Sequence, residues 1–284
     1  MVFILKRFFY DLVMNDVKYD DLILVPFDFS PLAFQAMEHG AYMSKVWRCR
    51  LTILHITENM DDMLLMNKKL GYVAEECMDD FGVKPEVMIR HGSHPYLVIK
   101  DVAVELNPAL VVLKTAGGVH TVTILAGTST PFLVIQGPPN GGVMKNISFP
   151  INFLNKHDEK LKRVIHFNEY YPDAVMHIIT PSGKGTVKEK NIPFDLSLMS
   201  KIMENQGVKT NIITHDKEKN TAEIILELSK GSDMIVTQIE NAFSFSKFLS
   251  KYLFGRREKK LITNIDKIPV LCFNQETDFK EIKR

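Results

Sequence analysis

Two imidazoles flank a turn in His91-Gly92-Ser93-His94, an arrangement that suits a metal ion or a proton-transfer pair if a third ligand and a shaped cavity join them. The simpler expectation is a turn in which His94 leads into the following helix. Ser182-Gly183-Lys184-Gly185-Thr186 has the composition of a phosphate loop, but a P-loop needs Gly, four residues, then Gly-Lys-Ser or Gly-Lys-Thr. A flexible connection accounts for it. Arg256 and Arg257 present guanidinium groups that match the oxygens of an anion, yet with Lys247, Lys251, Lys259 and Lys260 they read more simply as a solvated helix face. No Gly-x-Ser-x-Gly elbow occurs, and no Cys and His arrangement suggests a covalent nucleophile. The sequence therefore predicts neither a catalytic constellation nor a metal site.

The elements that would carry such residues come in two similar sets. Pro26-Phe27-Asp28-Phe29 returns as Pro150-Ile151-Asn152-Phe153, Gly82-Val83-Lys84 as Gly207-Val208-Lys209, and Leu110–Leu113 as Met234–Thr237, at nearly constant offset. A repeat this long means two homologous domains. In the first half, short apolar runs at 22–26, 51–56, 86–90, 110–114 and 132–136 alternate with helical stretches at 31–46, 60–81 and 95–105. Strands apolar on both faces belong to a parallel sheet covered by helices on both sides. Ser30 and Pro31 supply an N-cap and N1 pair for the first helix. The second half predicts strands at 146–150, 174–180, 209–214, 233–237 and 269–273, with helices at 158–170, 194–205, 221–230 and 243–264. His55 and His177 align as equivalent strand residues, which argues for a shared packing or hydrogen-bonding role rather than catalysis. Gly137-Pro138-Pro139-Asn140-Gly141-Gly142 is a linker no helix or strand interior would keep. It divides the chain into domains 1–141 and 142–284, with the last dozen residues a tail and 1–18 either an amphipathic N-terminal extension packed on the body or, with Met14 just before the first strand, a misassigned start.

Composition limits the function. Thirty-five Lys and Arg against 34 Asp and Glu give a formal charge of +1, so no global field favours nucleic acid or an anionic membrane. No apolar run approaches the roughly 20 residues of a membrane helix. Three cysteines, Cys49, Cys77 and Cys272, with no C-x-x-C spacing, suit a reducing cytoplasm and buried thiols.

The first strand with Pro26-Phe27-Asp28-Phe29-Ser30, the next with Leu54-His55-Ile56, the Gly92-Ser93-His94-Pro95 turn and the Pro131-led and Pro269-led fifth strands resemble the universal stress protein family in its tandem form. The resemblance covers about Asp20 to Asn274. It implies an α/β fold of two open five-stranded parallel sheets with helices on both faces, Rossmann-like, and a stress-response role. It also implies a nucleotide site at the carboxyl ends of the strands, carried onto Asp28, Ile56, Gly117 and Gly118. The family's loop after the fourth strand, glycines followed by Gly-Ser or Gly-Thr at a helix start, lets backbone amides reach phosphates. Here Val119 stands for the hydroxyl residue, and the stretch from Lys114 to Gly118 is far shorter than Gln238 to Gly255 in the other half. A rival parse uses Gly117 with Gly127-Thr128 but leaves no room for the helix. In the second half Asn152 replaces the acid and Arg256 follows Gly255.

The expectation is a non-catalytic stress-response or scaffold protein with a degenerate nucleotide site and no cofactor. The alternative is a nucleotide sensor that binds ATP with magnesium and hydrolyses it slowly. The resemblance further implies that the fifth strands, 132–136 and 270–273, pair to make an internal pseudo-dimer. A homodimer and an unknown protein partner are left open, and nucleic acid is disfavoured.

Overall fold

The computed structural model describes residues 21–115, 128–151, 157–182, 196–216, 221–238 and 256–273. The N-terminal extension, the Gly117-Gly118 loop, Asn152, the Gly183–Thr186 loop, Lys247, Lys251 and the C-terminal tail lie outside them.

The first half runs β1 (Leu22–Pro26), α1 (Pro31–Trp47), β2 (Arg50–Thr57), α2 (Met63–Phe81), β3 (Glu86–His91), α3 (Pro95–Leu106), β4 (Leu110–Lys114) and β5 (Phe132–Ile135). The second runs β6 (Asn146–Pro150), α4 (His157–Tyr170), β7 (Val175–Pro181), α5 (Leu196–Asn205), β8 (Thr210–His215), α6 (Ala222–Leu228), β9 (Met234–Gln238), α7 (Arg256–Ile262) and β10 (Val270–Phe273). The Ser30 hydroxyl accepts from the Ala33 amide at the start of α1, as its N-cap position requires. Gly82 closes α2 with φ of 65° and Gly207 follows α5 with φ of 71°, the left-handed positions that favour glycine.

All strands join one ten-stranded sheet in the order β3-β2-β1-β4-β5-β10-β9-β6-β7-β8. Each half has its five strands parallel, and the two halves meet where β10 pairs antiparallel with β5, Leu271 opposite Leu133. The two sheets expected from sequence are thus continuous, because each fifth strand would otherwise leave an open row of amides and carbonyls, and each covers the other.

Side chains alternate along the strands as the pleat dictates. Ile23, Val25, Leu110 and Val112 face one core with Leu70 and Val73 of α2 and Val164 and Phe167 of α4. Leu22, Leu24, Val111 and Leu113 face the other with Ile99 and Val102 of α3, Ile225 of α6 and Leu261 of α7. Both cores run across the seam. Trp47, at the end of α1, stacks on Tyr170 of α4 with ring centroids 4.9 Å apart and meets Phe167 edge-on at 6.4 Å. The cysteines are free and buried, and burial, with Asp80 nearby, pushes the Cys77 thiol up to about 12.

One sequence alignment fails. Pro26 pairs with Leu54 and Pro150 with Ile179, so His177, opposite Ser148, corresponds to Thr52, opposite Leu24, and not to His55. The two histidines lie an odd number of positions apart in register and on opposite faces of the pleat. Their partners differ accordingly: His55 Nδ1 donates to the Phe27 carbonyl at 2.8 Å, whereas His177 bonds Asn146 and Asn211.

Candidate functional site

In the first half the chain visits β1, β2 and β3 on one side and then crosses to β4 on the other. The strand order therefore reverses between β1 and β4, and the crevice at their carboxyl ends is where an open α/β sheet takes ligands. The Phe27 amide donates to the Leu54 carbonyl at 2.8 Å, so the chain leaves β1 beside His55 and Ile56. Phe29 then adopts a left-handed conformation with φ of 62°, which costs a non-glycine residue about 1 kcal/mol. Edge-on contacts of Phe27 with Phe29 at 5.3 Å and with Phe34 at 5.0 Å, and of Phe29 with His55 at 5.2 Å, hold this turn in place.

The turn presents Asp28 across the crevice to Lys114, the last residue of β4. The Asp28 carboxylate accepts from the Ser30 hydroxyl at 2.6 Å and amide at 3.1 Å, and its other oxygen is ion-paired with the Lys114 ammonium. That ammonium also donates to Ser30 Oγ at 2.8 Å. Burial opposes the charge on Asp28, but the hydrogen bonds from Lys114 and Ser30 outweigh it and hold the carboxyl below its usual range.

A serine hydroxyl beside a lysine has the composition of a Ser-Lys nucleophile pair. The bonding is wrong for that chemistry. An ammonium that donates to a carboxylate has no lone pair to accept the serine proton, and Ser30 gives its proton to Asp28 while capping α1. The arrangement is an ion pair that bridges the crevice.

Of the other sequence candidates, Ile56 lies beside this turn at the end of β2, and the rest are not gathered here. Ile56 is half-buried and packs on the core that faces α3. Gly117, Gly118 and the rival Gly127 lie outside the described residues, as does Asn152. Gln238 occupies at the end of β9 the place Lys114 has in β4. Arg256 and Arg257 open α7, which packs on α6 and pairs Lys260 with Glu223 at 2.5 Å, away from Asp28. His91 Nε2 meets the Glu58 carbonyl at 3.1 Å, and His94, at the N-cap position of α3, shares a hydrogen bond with Ser93 at 2.9 Å. Among the described residues no group of three or more His, Cys, Asp or Glu could hold a metal ion, and no helix is long and apolar enough to cross a membrane. Lys114 is the residue the sequence reading missed. Its signal was a single charge closing an otherwise apolar strand.

No family model matches the sequence, and no curated protein matches it. Solved structures do. A universal stress protein from Archaeoglobus fulgidus DSM 4304 is similar at 16% identity, with 90% of this chain and 97% of that one covered and a TM-score of 0.68. A putative universal stress protein from Pseudomonas aeruginosa UCBPP-PA14 is similar at 14% identity, with 89% and 92% covered and a TM-score of 0.58. A functionally unknown protein from Pseudomonas aeruginosa PAO1 is similar at 14%, with 90% and 92% covered and a TM-score of 0.56. The fold of this chain is that of the universal stress proteins.

Proposed function

We infer that this chain, with its universal stress protein fold, is a non-catalytic stress-response protein whose first-half ligand crevice has been converted into a structural contact. The observation that carries this reading is the Asp28-Lys114 ion pair across the β1-β4 switch point. The acid that the family resemblance carries toward a nucleotide is already engaged by an internal cation and by Ser30. A ligand entering there would have to displace Lys114 and Ser30 from a largely exposed carboxylate, which lowers its affinity by up to about 1 kcal/mol. Phosphoryl transfer also demands positioned metal and phosphate contacts, and the sequence after Lys114 is short of the glycine pattern that supplies them. The protein then acts through its surface, as a scaffold for a protein partner.

Isothermal titration calorimetry with ATP and magnesium tests the reading. The expected outcome is no saturable heat at millimolar nucleotide for the unaltered chain. Saturable binding in the micromolar range that disappears in Asp28→Ala would reverse the conclusion in favour of a nucleotide sensor.

A further inference from the structure

A second recess lies away from the switch point, where the linker crosses from β5 to β6. It is a recess of about 230 Å³ walled by α1, the linker, the turn between α7 and β10, and the Gly231–Asp233 turn before β9. Each wall is fixed by hydrogen bonds. On α1, His39 Nε2 donates to the Gly137 carbonyl at 3.1 Å. Asp233 holds the linker by accepting from Asn140 Nδ2 at 3.1 Å and from the Lys145 and Asn146 amides at 2.7 and 2.9 Å. Buried Asn264 holds the third wall, donating to the Leu261 and Ile268 carbonyls and accepting from the Ile268 amide. That turn sets Lys267 in a left-handed conformation with φ of 56°. A cavity whose walls are locked in this way needs little ordering to receive a ligand.

Its chemistry is divided. Tyr42, Met43, Val143, Met144 and Ile268 give it apolar walls. At the rim stand Asp266 and Lys267, adjacent, opposite in charge and exposed. Neither side chain has a hydrogen-bond or ion-pair partner among the described residues. Asp233, by contrast, is committed to the linker. At about 230 Å³ the recess falls below the roughly 300–1,000 Å³ of cofactor and drug pockets and suits a small molecule.

We propose that this cavity binds a free α-amino acid with an apolar side chain. Asp266 accepts from the ligand's ammonium, Lys267 donates to its carboxylate, and the apolar walls enclose its side chain. A ligand with both charges satisfies both rim groups, and each charge-assisted bond adds to affinity. The site joins α1 of the first half to the β6-β9-β10 end of the second, so occupancy bears on how firmly the halves hold together.

Calorimetry on the full chain with L-phenylalanine, phenethylamine and 3-phenylpropanoate tests it. L-Phenylalanine is expected to bind saturably, and each analogue lacking one charge about tenfold more weakly or worse. Asp266→Asn should erase the preference over 3-phenylpropanoate. Lys267→Asn, which tolerates the left-handed backbone, should erase the preference over phenethylamine. Lys114→Met should change neither, which separates this site from the crevice. Absence of saturation by about 10 mM, equal affinity for a singly charged analogue, or unchanged binding in both rim variants would each overturn the proposal.

Discussion

Trp47 is the chain's single tryptophan, and it sits between the halves, 6% exposed, against Tyr170 and Phe167 of α4. Truncating it to alanine removes an aromatic surface of roughly 150–250 Å², which at about 25 cal/mol per Å² corresponds to about 4–6 kcal/mol. A compact denatured chain already hides part of that area, so the expected loss for Trp47→Ala is about 3–5 kcal/mol. Guanidinium denaturation followed by far-ultraviolet circular dichroism measures it. The unaltered chain offers a second readout, because Trp47 emission reports the contact between halves while dichroism reports both halves together. One sheet and two cores that cross the seam require the two signals to change together. Fluorescence that reaches its unfolded value while the dichroism remains native would refute this account of how the halves are held. So would a Trp47→Ala cost below about 1 kcal/mol.

His39 is buried, and burial lowers its ring to about 4, against a partial opposing effect from the Gly137 carbonyl. Its folded value lies below its unfolded one, so its contribution is intact above about pH 6.5 and declines as pH falls toward 4, by about 3 kcal/mol in all; the difference in denaturation between the unaltered chain and His39→Gln across that window checks it. Gly142→Ala should cost more than Gly141→Ala: both positions have positive φ, 73° and 61°, but only at 142 would a Cβ fall 2.3 Å from the Tyr42 ring, and thermal melts of the pair isolate that clash. Lys114→Met should cost about 1 kcal/mol or less near neutrality, since Asp28 is largely exposed. The Asp28 carboxyl, titrated by carbon NMR, should rise out of its depressed range once burial is left with less opposition; in the unaltered chain the pair's stabilisation is present above the usual carboxylate range and lost as pH falls through the lowered value.

The strands and helices were legible because their signals are local. Runs such as Leu22–Pro26 and Leu110–Lys114 are apolar on both faces, and Ser30-Pro31 marks a helix start without reference to the rest of the chain. Register was not legible. His55 and His177 are both histidines in second strands, and only the pairing of Pro26 with Leu54 and of Pro150 with Ile179 separates them. The role of Lys114 was hidden for a related reason: its partner stands far off in sequence and becomes a neighbour only because β4 lies beside β1. The cavity near Asp266 depends on four segments meeting, and no spacing within any one of them announces it.

The seam between β5 and β10 fixes a polarity for the whole molecule. Because the two strands run in opposite directions, the carboxyl ends of the first five strands emerge at one pole and those of the second five at the other. A ligand or partner seated at Asp28 therefore shares no vestibule with anything held beyond Gln238. The two halves are thus set back to back, their strand carboxyl ends facing opposite ways.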